Sequence, residues 1–98
     1  MFKFEKKALQ DAVRRGWMYQ ESGFWYIKKN YAGHIAHLLA EQFCEAEEAE
    51  KIDFISYMME TYGDRLMQRA FDEVSFTWED ALIERVETLE DDVDLELP

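Results

Sequence analysis

Apolar side chains recur along this chain at two periods, and the change of period divides it into elements. Between residues 3 and 15, Phe4, Ala8, Leu9, Ala12 and Val13 fall three or four apart, with Lys6, Lys7, Asp11 and Arg14 on the other side. That spacing predicts a first helix. Arg14 and Arg15 suit the negative end of its dipole, and Gly16 supplies a stop. Residues 17–20 and 24–28 are instead dense in aromatic and β-favouring side chains. Glu21-Ser22-Gly23 reads as a three-residue link with Gly23 in a left-handed position, so a β-hairpin is expected. Two strands alone are marginal, and this pair must pack on helices or meet another chain. Trp17, Tyr19, Trp25 and Ile27 are assigned to one face and Met18, Tyr26 and Lys28 to the other, which places aromatics on both.

Helical spacing resumes after Asn30, the expected N-cap of a second helix over about 31–50. Its buried stripe is Tyr31, Ile35, Leu38, Leu39, Gln42 and Ala46, with Phe43 at the margin. A third helix is predicted over about 53–73, starting at Asp53, with Ile55, Met58, Met59, Tyr62, Leu66, Ala70 and Val74 as its apolar face. Gly63 marks a kink or a close contact within it. Thr77-Trp78-Glu79-Asp80 has the form of a capping box and opens a fourth helix to about residue 90, packed through Trp78, Leu82, Val86 and Leu89 beside Ala81. Residues 91–98 form an acidic tail, either frayed or docked through Val93, Leu95 and Leu97. The expected fold is α+β, mainly α: about four helices with one aromatic hairpin between the first and second. The expected core is Ile35, Leu38, Leu39, Ile55, Met59, Tyr62, Leu66, Leu82, Val86 and Leu89.

Composition is consistent with this picture. A chain of 98 residues with 48% hydrophobic side chains has the material for one compact domain over 1–98. The lone Cys44 forms no intrachain disulfide and no zinc framework, which points to a reducing compartment. No apolar run reaches signal-peptide or membrane-span length, and a soluble, cytoplasmic protein is expected.

Charge changes the picture more. Residues 1–40 carry seven basic side chains against three acidic ones, whereas residues 41–98 carry four against nineteen, for a net charge of −11. A field so divided repels nucleic acid and membrane surfaces from the acidic part and draws basic partners to it. Glu41, Glu45 and Glu48 are expected in one row on the second helix, and Glu84, Glu87, Glu90, Asp91 and Asp94 along the last helix and tail. Side chains three or four apart on a helix lie about 5–6 Å apart at Cβ, near the phosphate spacing of a nucleic-acid strand. Few basic residues relieve the repulsion.

Residues with chemistry of their own offer no reaction. His34, His37 and Glu41 share a helical stripe, but no second carboxylate–histidine pair completes a metal site, and no metal or cofactor is expected. Cys44 sits among Glu45, Glu47 and Glu48, which suppress a thiolate. Ser22, Ser56 and Ser75 occupy no nucleophile elbow, and the four glycines form no phosphate-binding loop. Trp17, Tyr19, Trp25 and Tyr26, flanked by Arg14, Arg15, Lys28 and Lys29, have the composition of a single-strand platform, but the net charge cancels its electrostatic term, so no direct nucleic-acid binding is expected.

In size, acidity and scarcity of glycine and proline the chain resembles the nucleic-acid mimics and host-enzyme inhibitors that phages encode, such as anti-restriction and anti-CRISPR proteins. The resemblance is one of charge and size, with no aligned motif. It implies a non-catalytic inhibitor that shows Glu41, Glu45, Glu48, Glu84, Glu87, Glu90, Asp91 and Asp94 to a basic, nucleic-acid-binding partner protein. The alternative is an acidic adaptor that binds a partner, or a second copy, through Trp17, Tyr19, Trp25 and Tyr26.

Overall fold

The computed structural model describes residues 2–68, 76–88 and 95 of the chain. In chain order these form α1 (Lys3–Arg14), β1 (Met18–Glu21), β2 (Phe24–Ile27), α2 (Ala32–Glu45), α3 (Glu48–Gln68) and α4 (Trp78–Glu87). The fold is mainly helical, with one antiparallel hairpin between α1 and α2, as the spacing predicts. No described helix is long and apolar enough to cross a membrane.

Carboxylates cap the start of α1. Glu5 accepts the Phe2 N–H at 3.0 Å, and Glu50 of α3 accepts the Phe4 N–H at 3.0 Å, satisfying two donors that the helix cannot. At the other end Gly16 adopts φ +79°, the Gly16 N–H reaches the Val13 carbonyl at 3.0 Å, and the Trp17 N–H reaches that of Ala12 at 2.9 Å. This is a Schellman stop. The Trp17 carbonyl then accepts the Lys28 N–H at 2.8 Å, so the residue that closes the helix also begins the hairpin ladder.

The hairpin turn has two residues rather than three. Ser22 (φ +53°) and Gly23 (φ +84°) are both left-handed, the type I′ geometry whose twist matches the strands. Glu21 therefore pairs with Phe24 and Tyr19 with Tyr26, which corrects the expected faces. Met18, Trp25 and Ile27 turn inward, while Tyr19, Tyr26 and Phe24 stand outside.

Asn30 is not the cap of α2. It takes φ +74°, which asparagine tolerates, within a turn closed by the Tyr31 N–H to the Lys28 carbonyl at 3.1 Å, and Tyr31 is the N-cap. Nor does α2 run to residue 50. Ala46 is extended (ψ 160°), and α3 begins at Glu48 instead of Asp53. Glu48 and Glu50 lie in the first turn of α3, where carboxylates suit the positive end of the dipole. The α3 helix runs on through Gly63, where an added Cβ would meet the Met59 methyl at 3.5 Å, an ordinary contact distance.

Phe4, Leu9, Met18, Trp25, Ile35, Leu39, Phe54, Met58, Tyr62, Ala81, Val86 and Leu95 are among the side chains that make up the core. Two expected members are outside it, Ile55 at 48% exposed and Met59 at 46%, and Trp78, expected to pack from the fourth helix, is 45% exposed. Phe54 and Met58 face inward in place of Ile55 and Met59, a rotation of α3 by about one residue. Leu66 and Leu82 are half-buried against the core. Leu95 is fully buried, while Ala70, Val74, Leu89, Val93 and Leu97 lie outside the described residues. Thr77 and Asp80 form the expected capping box, with Thr77 N–H to Asp80 Oδ2 at 2.8 Å and Asp80 N–H to Thr77 Oγ1 at 3.2 Å.

One ion pair joins the chain's first helix to α4. Glu5 is 3% exposed, and its carboxylate receives Nε and a terminal nitrogen of Arg85 at 2.5 and 3.0 Å. The guanidinium also lies 4.2 Å from the Tyr57 ring centroid. Burial works against the Arg85 charge, but the Glu5 hydrogen bonds outweigh it and push the Arg85 pKa up, so the group is cationic throughout the accessible pH range.

Candidate binding surface

With Phe54, Met58 and Tyr62 of α3 turned inward, Ile52, Ile55, Met59 and Met67 are left outside. Ile52, Ile55, Met59, Gly63 and Met67 follow one another at steps of three and four, which makes a single stripe about 22 Å long at the rise of a helix. Ile52, Ile55, Met59 and Met67 are all exposed. On the inner side this stripe runs into a groove of ≈ 350 Å³ between helices. Leu39, Ala40 and Phe43 of α2, Phe54 and Ile55 of α3, and Trp78 and Leu82 of α4 line it together with Phe4. Every described lining residue is apolar. On the outer side Asp53, Glu60 and Asp64, at steps of seven and four, form a parallel acidic row.

The carboxylates expected to bind a partner are not placed as one array. Glu41 and Glu45 are on α2, but Glu48 opens α3, because the helix breaks at Ala46. Glu41 is held by His37 Nε2 at 2.9 Å and Glu84 by Arg65 at 2.6 Å, both in exposed pairs. Glu87 is exposed at the end of α4, while Glu90, Asp91 and Asp94 lie outside the described residues. Outside the hairpin, eight exposed carboxylates, Glu45, Glu47, Glu48, Asp53, Glu60, Asp64, Glu79 and Glu87, have no ion pair or side-chain hydrogen bond among the described residues. Basic charge lies on α1 and around the hairpin, and part of it is used internally. Arg14 and Arg15 both bind Asp11; burial pushes that carboxyl up, but the two hydrogen bonds prevail and hold it below the ordinary 3.8.

The four aromatic residues named for the hairpin separate. Trp25 is buried. Trp17 is half-buried, stacked on Tyr31 at 5.5 Å with Arg15 5.1 Å from its ring centroid. Only Tyr19 and Tyr26, stacked at 5.5 Å, remain exposed, joined by Phe24. His34 packs edge-on against Trp17 at 5.2 Å, while His37 pairs with Glu41 one turn further along the same face of α2. Among the described residues no three His, Cys, Asp or Glu side chains converge to hold a metal ion. Cys44 is exposed and free.

Sequence spacing missed the groove and the Asp53–Glu60–Asp64 row. The signal was present: apolar residues at 54, 55, 58, 59 and 62 span an arc wider than one packed face requires. Comparison of the chain with protein-family models, with curated proteins and with solved structures finds no match in any of the three.

Proposed function

We propose that this chain is a non-catalytic binding protein that presents its carboxylate-rich surface to a basic, nucleic-acid-binding site on a partner protein. The observation that supports this reading is the set of eight exposed carboxylates on α2, α3, α4 and the α2–α3 corner that have no described ion pair or side-chain hydrogen bond. Like charges left unrelieved raise the free energy of the free protein, and a basic groove relieves them on contact. Such a surface competes with nucleic acid for the groove. The resemblance in charge and size to phage inhibitors makes restriction and CRISPR enzymes the first partners to test.

The test is capture of the partner from the source cells with the tagged full chain, followed by binding measurements on the identified protein. Association should slow steeply with salt, the chain should displace nucleic acid from the partner, and Glu45→Lys, Glu47→Lys and Glu48→Lys together should weaken binding. A partner without a basic groove, whose affinity is unchanged by this triple reversal, overturns the reading. A second reading, an adaptor acting through the hairpin, is favoured by the exposed Tyr19–Tyr26 stack. It predicts weak salt dependence and loss of binding in Tyr26→Ala. Because Trp25 is buried, Trp25→Ala would report on folding instead.

A further inference from the structure

We infer that the groove between α2, α3 and α4, with the α3 stripe that extends it, is the docking site for an amphipathic helix of the partner whose apolar face is flanked by lysine or arginine. This rests on the reading of the chain as an acidic binding protein and names the place and chemistry of contact. Two properties of the site specify the occupant. The groove and stripe form a continuous apolar track of helical length, with Ile55 at their junction and Trp78 at the wall, each nearly half exposed. A track of that shape matches the anchors of one helix at steps of three and four. Beside it runs the row of Asp53, Glu60 and Asp64, exposed and unpaired among the described residues, which requires the opposite sign on the adjoining side of the occupant.

Charge also disfavours the other occupants. A second copy packed α3 against α3 would bring the same acidic row against itself, on a chain already at −11. The chain's own residues 89–98 carry five carboxylates and no basic side chain, the wrong sign for that border.

The probe is a synthetic amphipathic helix of leucine and lysine, compared with a leucine–glutamate counterpart and a scrambled leucine–lysine sequence. Binding to the full chain is read by fluorescence anisotropy, and sedimentation gives the oligomeric state. The leucine–lysine helix should bind, and the other two should bind at least about tenfold more weakly. Ile55→Asp should reduce its affinity by about tenfold or more, as should Trp78→Ala. Both residues are half-exposed, and melting curves show whether each variant is folded. Asp53→Lys, Glu60→Lys and Asp64→Lys together should weaken binding at low salt and leave little difference at high salt. Equal binding of the glutamate helix, or indifference to Ile55→Asp in a folded variant, overturns the proposal. A dimer dissolved by Ile55→Asp gives the groove to a second copy. A gain of peptide affinity in Val93→Asp with Leu97→Asp gives it to the chain's own C-terminal residues. If the captured partner ignores Ile55→Asp but is lost on reversal of Glu45, Glu47 and Glu48, the acidic reading stands and the groove fails. If it is lost with Ile55→Asp and ignores every charge reversal, the groove stands and the acidic reading fails.

Discussion

Removing Glu5 should cost the protein far more than an exposed ion pair would. The carboxylate is 3% exposed and the Arg85 side chain 16%, and the pair is bidentate, so Glu5→Ala leaves a guanidinium desolvated with nothing to neutralise it. Breaking a buried pair from one side costs about 3–5 kcal/mol, whereas an exposed pair contributes about 0–1. The Tyr57 ring face at 4.2 Å offers the stranded cation some compensation, which places Glu5→Ala near the lower end, at about 3 kcal/mol. For a domain of this size that is a fall in Tm of roughly 12–24 °C. Arg85→Met should be comparably costly, because it leaves the Glu5 carboxylate buried without its partner. Glu5→Leu with Arg85→Met, which removes both charges and keeps the volume, should recover most of the loss. Urea titrations followed by far-UV circular dichroism on the wild type and the three variants compare these costs directly. A Glu5→Ala cost below about 1 kcal/mol, with the double variant no better than the singles, would show that the pair behaves as a solvated surface contact and refute the reasoning.

Met58→Ala should cost about 2–5 kcal/mol and Met59→Ala under about 0.5, because only the first is buried; equal losses in urea would put the rotation of α3 in doubt. Gly23→Ala should destabilise by about 1–3 kcal/mol at its φ of +84°, while Ser22→Asn should stabilise by about 0.5, since asparagine tolerates the left-handed region better than serine; thermal melts of the pair check the turn. Gly63→Ala should raise stability by about 0.5–1 kcal/mol, and a lower Tm would reveal a packing constraint at that point of α3. The Tyr62 phenol is pushed above its ordinary 10.0, first by burial and then by Tyr57 and Glu84. The unfolded chain therefore loses this proton first, and stability should fall as the pH rises past about 10. Tyr62→Phe should flatten that part of the profile, and an unchanged slope would assign it to other groups.

Local signals made some of this architecture legible. Gly16 and the Thr77–Asp80 pair mark a helix end and a helix start by chemistry confined to a few residues, and both stand where the spacing puts them. The break at Ala46 has no such mark, because Glu45 to Glu50 contains neither glycine nor proline and consists of good helix formers. That break moved Glu48 off the second helix and dissolved the expected row. The hairpin itself was visible, but its phase was not. Counting the turn as three residues rather than two assigned Trp25 to the face of Tyr19, and the I′ register returns Tyr26 to that place. On α3 two apolar stripes lie side by side, and periodicity alone cannot say which is interior. The Glu5–Arg85 pair spans 80 positions and leaves no trace in local spacing.

Trp17 gives its amide to the last turn of α1 and its carbonyl to the first rung of the hairpin. The two elements are thereby fastened end to end, and the base of the hairpin cannot open unless the helix terminus loosens with it. Opening must begin at the other end, at the Ser22–Gly23 turn, and travel inward. Amide exchange along the strands should follow that order, with Phe24 first to lose its label and Lys28, bonded to the Trp17 carbonyl, the last. The exposed tyrosine pair lies midway along this gradient, on a lever that swings from the helix end.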